Sequence, residues 1–165
     1  MIKPENIKFA CFMEDDKDSF TSNTAKHFTL EDVNLNPSAI PPFDIALPYM
    51  QFTDIKNNEV YAGDVLCLEI TKELLDSTFS GSNLGRLCLK EPDITEVYCV
   101  IDTSTDNLFK YDVYIAHDHK IESEDNEPES AVFGNDTGFP KYLAVKGAAI
   151  IGNIYAQPDF LTKFI

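Results

Sequence analysis

The chain has no tryptophan and few basic residues, with 13 lysines and arginines against 28 acidic residues. The resulting formal charge of −15 opposes capture of a phosphate backbone, so direct nucleic-acid binding is not expected. No run of the roughly eighteen apolar residues that cross a bilayer occurs, and residues 1–6 lack the apolar core of a signal peptide. We therefore expect a cytoplasmic protein that does not associate with a membrane.

Cysteine is also scarce: there are four, and no two are spaced as CxxC, which disfavours a structural zinc site. Cys11, Cys67, Cys88 and Cys99 mostly stand among apolar neighbours, as in Leu66-Cys67-Leu68. In a chain without a secretion signal, this context is typical of buried thiols that act as small hydrophobic side chains. No cofactor is predicted.

What the chain does have is apolar residues, 44% of the total, spread along its whole length. A length of 165 residues suits one compact domain, and neither a repeat nor a linker divides it. We therefore treat residues 1–165 as a single domain.

Alternating and β-branched patterns predict strands over much of the chain. They cover residues 7–13, a hairpin between 50–53 and 60–61, and the segments 65–70, 94–101, 108–115, 142–147 and 148–155. Short helical turns are predicted at 29–32, 71–76 and 158–164, and loops at 80–85 and 122–138, the second of them mobile. Short strands with brief connections indicate a mainly β fold, a small barrel or sandwich with a few short helices, with α+β as the alternative.

The histidine pair at positions 117 and 119 is the most suggestive chemical pattern. Residues two apart on a strand face the same way, so His117 and His119 are candidate metal ligands. A third ligand would have to be Glu122 or the distant His27. The alternative is that both imidazoles are simply solvated at a strand end, and we assign no metal site.

Other motifs carry less chemistry. Residues 102–107 resemble the start of a calcium loop, but Asn107 replaces its glycine and Val113 stands where the bidentate glutamate belongs. The segment 81–86 lacks the P-loop spacing, and there is no G-x-S-x-G elbow. No catalytic residue is predicted.

Three blocks, in this order, resemble the YopX family of bacteriophage and prophage proteins. They are the first strand at 7–9, a central block at 50–65 and a closing block at 151–161. The positions that match are Met50, Gln51, Phe52, Thr53, Tyr61, Gly63, Asp64, Gly152, Asn153, Ile154, Tyr155, Pro158 and Asp159. The chain departs from the family at residues 12–14 and in the central turn, where Asp54 replaces the usual glycine.

The resemblance implies a mainly β fold with an SH3-like barrel element and a tendency to form homo-oligomers, in a bacterial host cell. It implies no known activity. Considered without the family, Gly63-Asp64 and Gly152-Asn153 are small-plus-polar pairs beside strands, which favours a structural role in bulges or tight bends.

Three functions follow as hypotheses. The first is a non-enzymatic phage or prophage accessory module that self-associates and binds an unidentified protein. The second is an acidic mimic of nucleic acid that inhibits a DNA-binding host protein. The third is a small metal-dependent enzyme that uses His117 and His119.

Overall fold

The computed structural model describes residues 7–12, 25–40, 45–102, 110–117, 120–123, 138–157, 159 and 162. Within these residues there are nine strands. They are β1 (Lys8–Phe12), β2 (Lys26–Thr29), β3 (Ile45–Thr53), β4 (Glu59–Tyr61), β5 (Asp64–Glu69), β6 (Ile94–Asp102), β7 (Lys110–His117), β8 (Lys120–Ser123) and β9 (Ala149–Asn153).

The strands form two antiparallel sheets. The first has four strands in the order β2-β1-β3-β4, and the second has five in the order β8-β7-β6-β5-β9. Strand β4 leads directly into β5 through Ala62-Gly63, so this short corner joins the two sheets. The mainly β class is therefore confirmed, but the described strands form two open sheets and not one closed barrel.

The main core lies on one face of the second sheet, against the helices. These helices are α1 (Leu30–Leu35), α2 (Lys72–Leu75), α3 (Asn83–Lys90) and α4 (Gly138–Lys146), with 3-10 turns at Pro37–Ala39 and Thr78–Gly81. Apart from α1, these helices and the turn at Thr78–Gly81 supply side chains to the core, which the sheet completes with alternate residues such as Leu66, Val97 and Ile115. A smaller cluster that includes Val65 and Val100 covers the opposite face of the sheet.

Helix α1 begins as its sequence predicts. The Thr29 hydroxyl accepts a hydrogen bond from the backbone N–H of Asp32 at 3.1 Å, and the Asp32 carboxylate accepts one from the backbone N–H of Thr29 at 2.8 Å. This reciprocal pair is a capping box and satisfies two backbone donors at the helix start. The predicted turn at 71–76 is also helical, as α2.

Two predictions of local structure are wrong. The segment 80–85, expected to be a flexible loop, completes a 3-10 turn and starts α3, whose N-cap is the Ser82 hydroxyl. Leu84, Leu87 and Cys88 then follow at helical spacing and are buried. This spacing is the signal that the loop prediction overlooked.

The predicted strand at 142–147 is instead the second half of α4. Phe139 and Leu143, four residues apart, are both buried in the core. Gly147, at φ +120°, ends the helix, and the backbone N–H of Ala148 donates to the carbonyl of Leu143 at 2.9 Å. This is the bonding of a Schellman motif, in which glycine takes the backbone angle that a side chain disfavours. Among the described residues after 142, one strand forms, which is β9.

The other predictions of local structure are confirmed or fall on residues that the structure does not describe. The hairpin at 50–61 forms, with Asn57 at φ +63° in its turn, and β6 pairs with β7 as expected. All four cysteines are free thiols, and three are buried. Most of 122–138, most of the calcium-like segment 102–107 and most of the predicted turn at 158–164 fall outside the described residues. No described helix is long and apolar enough to span a membrane.

Candidate functional site

Several of the matched motif residues, Asp64 and Asn153 among them, meet at the corner between the sheets. The Asp64 carboxylate accepts hydrogen bonds from the backbone N–H of Tyr61 at 2.8 Å and from the Asn153 amide at 2.9 Å. The same amide nitrogen donates to the carbonyl of Ala62 at 3.0 Å. On its other side, the Asn153 oxygen accepts from the backbone N–H of Tyr155 at 3.0 Å. Asp64 and Asn153 both have 0% of their surface exposed.

Gly63 allows this corner to close. Its φ is +82°, and an added Cβ would lie 2.8 Å from the Tyr155 ring at Cε2 and 2.9 Å from the Asn153 side-chain oxygen. Its backbone N–H donates to the carbonyl of Ile101, and its carbonyl accepts from the backbone N–H of Ile154 at 2.8 Å. A side chain at position 63 would therefore push apart the segments that the corner joins.

The central turn is held by Asp54, which sequence reasoning treated only as a departure from the family pattern. Its carboxylate accepts from the backbone N–H groups of Lys56 and Asn58, both at 2.8 Å, and from the Asn58 side chain at 3.1 Å. It also accepts from the backbone N–H of Ile150 on β9 at 3.0 Å. Asp54 thus covers a backbone donor on the edge strand of the second sheet.

These bonds also set the ionisation of Asp54. Burial by itself would raise the pKa of this carboxyl. The hydrogen bonds from Ile150, Asn58 and Lys56 stabilise the charged form, and together they hold the pKa below its usual range.

Gln51 bends the first sheet. It has φ +65° and lies where the pairing of β3 with β4 shifts, between the pair Tyr49 with Tyr61 and the pair Thr53 with Glu59. Four residue steps on β3 therefore match two on β4, so β3 bulges at this point. Bulges increase the twist and bend of a strand, and the side chain of Gln51 is exposed.

The bend brings the two outer strands of the first sheet together. In a flat sheet, three strand spacings of about 4.8 Å would place β2 about 14 Å from β4. Yet the His27 ring on β2 stacks on the Tyr61 ring of β4, with centroids 5.0 Å apart and planes 7° apart. The first sheet is therefore curled, and Tyr61, at 0% exposure, lies inside the curl.

A partly exposed ion pair lies next to the hydroxyl of Tyr61. The Glu59 carboxylate accepts a hydrogen bond from the Tyr61 hydroxyl at 2.7 Å and forms an ion pair with the Lys8 ammonium. The Lys8 nitrogen also lies 5.5 Å from the centre of the Tyr49 ring. Burial raises the pKa of Tyr61, and the bond to Glu59 raises it further, so its hydroxyl stays protonated as the donor.

Glu59 and Lys8 hold opposite charges in this pair. The hydrogen bonds from Lys8 and Tyr61 overcome the effect of burial and hold the pKa of Glu59 below its usual range. The hydrogen bond to Glu59 raises the pKa of Lys8. Lys8, His27, Tyr49 and Glu59 were not selected from the sequence as one site, because they come from four strands and carry no local motif.

The remaining motif positions take separate places. Met50 is half-buried between the two cores, and Thr53 is exposed. Gly152 is buried opposite Val65, where β9 has a bulge next to Ile151. Pro158 lies outside the described residues.

His117 ends β7 and lies between two carboxylates. Its Nδ1 is 3.2 Å from Asp93 and its Nε2 is 3.8 Å from Glu91. The two ring nitrogens point to different carboxylates, so these donors do not converge on one point, as metal ligands must. Glu122 lies on β8 opposite Ile115, and His119 is outside the described residues.

The described residues also contain no group of three or more metal-ligating side chains placed to hold an ion. Two regions are candidates for function: the corner built on Asp64 and Asn153, and the group formed by Lys8, His27, Glu59 and Tyr61 on the curled sheet. Comparison of the chain with protein-family models, curated proteins and solved structures finds no match.

Proposed function

We propose that this chain is a non-enzymatic interaction module that self-associates, an accessory protein of the bacteriophage and prophage type that its YopX-like blocks suggest. The observation that carries the proposal is that the polar side chains of the motif at the corner are hydrogen-bonded within the chain itself. Both oxygens of Asp64 accept hydrogen bonds from within the chain, and the Asn153 amide is also bonded on both sides. With 0% exposure, neither side chain has a polar atom available to a substrate.

Exposed apolar side chains on the helices suggest where copies meet. Leu35 on α1 is 77% exposed and Val145 on α4 is 72% exposed. Single exposed apolar residues are common on protein surfaces, so their exposure alone does not define an interface, and substitution of each residue tests whether it lies in one. Because apolar area is the main source of stability in such contacts, these two side chains are the first positions to test for a contact between copies.

Light scattering on the purified full chain, over a hundredfold range of concentration, tests self-association. We expect a mass of at least twice the 18.5 kDa of one chain. Leu35→Ser or Val145→Ser should lower the mass, while Lys141→Ser, an exposed residue one turn before Val145, should not. A strictly monomeric protein at every concentration would refute self-association.

The binding partner requires a separate experiment. Affinity capture from infected or lysogenic bacterial cells should enrich a protein with the folded chain. The same chain carrying Gly63→Ala, which disturbs the corner, is the control for folding-dependent capture. Equal capture by both would show that the enrichment does not depend on an intact corner.

One observation favours the nucleic-acid mimic as a second candidate. Glu69 on β5 pairs directly with Glu96 on β6, and like charges placed opposite each other destabilise a sheet. A basic partner would relieve this repulsion. Other described carboxylates lie on other elements, for example Glu31 on α1, Glu73 on α2 and Asp93 before β6.

A column of immobilised duplex DNA loaded with bacterial lysate tests the mimic. At constant salt, the protein should elute a bound DNA-binding protein. The double variant Glu69→Gln and Glu96→Gln should elute less, and Glu31→Gln should behave as the parent does. If nothing elutes, the mimic hypothesis fails while the interaction module is unaffected.

A further inference from the structure

We propose that His27 is a proton-sensitive latch that holds the two outer strands of the curled first sheet together. The backbone of β2 pairs with β1, and that of β4 pairs with β3. No backbone ladder joins β2 to β4 in the described part of the chain. The stacked rings of His27 and Tyr61 are a side-chain contact between these two strands.

The two rings differ in their access to solvent. His27 is exposed, whereas Tyr61 is completely buried, so the imidazole forms part of the cover over the phenol ring. An exposed imidazole exchanges protons with solvent without unfolding of the chain. Histidine side chains change charge between about pH 5 and pH 8, which makes this contact responsive to pH.

Protonation should strengthen the contact for two reasons. An imidazolium over the face of an aromatic ring gains a cation–π attraction that the neutral ring lacks. The Glu59 carboxylate, bonded to the Tyr61 hydroxyl, also interacts electrostatically with His27. Both effects favour the closed arrangement when the imidazole carries a charge.

The other titratable groups around the ring pair do not cancel this attraction. Lys8 on β1 is positive, but it is paired with Glu59, and Tyr49 on β3 is neutral. Asp64, which follows the corner, adds a negative charge that acts on Tyr61. The described groups around the ring pair therefore carry more negative than positive charge.

Hydrogen exchange of the β2 amides tests the latch. Exchange rates are divided by the intrinsic rate at each pH, so that the resulting protection factors report the opening of the strand alone. We expect protection at Lys26–Thr29 to rise about threefold from pH 8 to pH 5.5, the change that a cation–π contact of ordinary strength produces. Amides of β6 should show no such rise.

Three variants separate the latch from a general pH effect. His27→Phe retains a stacked ring that does not titrate, so its β2 protection should be the same at both pH values. Glu59→Gln should reduce the rise, and Tyr61→Phe, which keeps the ring, should retain part of it. A flat profile in the parent chain, or the same rise in His27→Phe, would overturn the proposal.

Discussion

The side chains of Asp64 and Asn153, 89 residues apart in the sequence, meet in a buried hydrogen bond of 2.9 Å. This bond joins the start of β5 to the end of β9, and both residues also bond to backbone groups of the β4–β5 corner. A buried carboxylate is stable only when its oxygens are bonded. Asp64 and Asn153 therefore depend on each other, and the corner depends on both.

Asn153→Ala should destabilise the protein by about 2–4 kcal/mol, because the buried Asp64 carboxylate and the carbonyl of Ala62 each lose the hydrogen bond that the Asn153 amide donates. Urea unfolding followed by circular dichroism measures this loss. Thr53→Ala, at a motif position whose side chain is exposed, should cost less than about 1 kcal/mol. Equal losses in the two variants would contradict the role of the corner.

Gly63→Ala should cost at least about 2 kcal/mol, since alanine is disfavoured at φ +82° and its Cβ would overlap Tyr155 and Asn153. Gly81→Ala is the matched control, because an added Cβ there meets no atom within 4 Å. Thermal unfolding of the two variants should show a clear loss for position 63 and almost none for position 81. A stable Gly63→Ala variant would mean that the corner has room the structure does not show.

Local patterns predicted the parts of this fold that depend on neighbouring residues. The capping box of Thr29 and Asp32, the turn at Asn57 and the strand β1 all involve groups close in sequence. The strand prediction at 142–147 gave weight to Tyr142 and Val145, which favour strands, although Leu143 and Ala144 favour helices. What makes the segment helical is the burial of Phe139 and Leu143 together and the stop at Gly147.

The functional regions were harder to predict, for a related reason. Asp54 bonds to Ile150, 96 residues away, and His27 reaches Tyr61 only because β3 bends at Gln51. An amino-acid pattern shows that a position is polar or aromatic, but it does not show which distant group that position meets. The motif positions were visible beforehand, while Asp54 and His27 acquire their partners only in the folded chain.

The bulge at Gln51 leads us to predict that valine, which usually favours strands, is unfavourable at this position. Valine usually stabilises strands, but a β-branched side chain is strained at φ +65°. Gln51→Val should therefore destabilise the protein by about 1–2 kcal/mol, and Gln51→Gly should be neutral or slightly stabilising. Urea midpoints of the two variants decide the matter, and a more stable valine variant would show that β3 is regular there.

The four thiols should be inert in the folded protein. Burial raises the pKa of Cys67 to about 12 and that of Cys88 to about 11, and it also raises the pKa of Cys11 and Cys99. Because the thiolate is the reactive form, Cys67 at pH 8 should react with Ellman's reagent about three orders of magnitude more slowly than an ordinary thiol. Unfolding in urea should release four fast thiols, and one fast thiol in the native protein would contradict this.

Asp54 should give the protein an acid-sensitive component of stability. Its pKa is lower in the folded chain than in the unfolded chain, so the unfolded state takes up a proton first as the pH falls. The stabilisation is complete above the unfolded value of about 3.9 and is lost as the pH falls through the lower folded value. Asp54→Asn cannot undergo this loss, because its side chain does not titrate.

The difference in unfolding free energy between the parent and Asp54→Asn should therefore be constant from pH 7 to about pH 5 and should shrink toward pH 2.5. Glu59, whose pKa is also lowered, titrates in both proteins, so its contribution cancels in this difference. Asp76→Asn, at an exposed carboxylate, controls for the change of residue type. If the difference stays constant down to pH 2.5, the bonds from Ile150 and Asn58 do not favour the charged carboxylate, and Asp54 holds the β9 edge by shape alone.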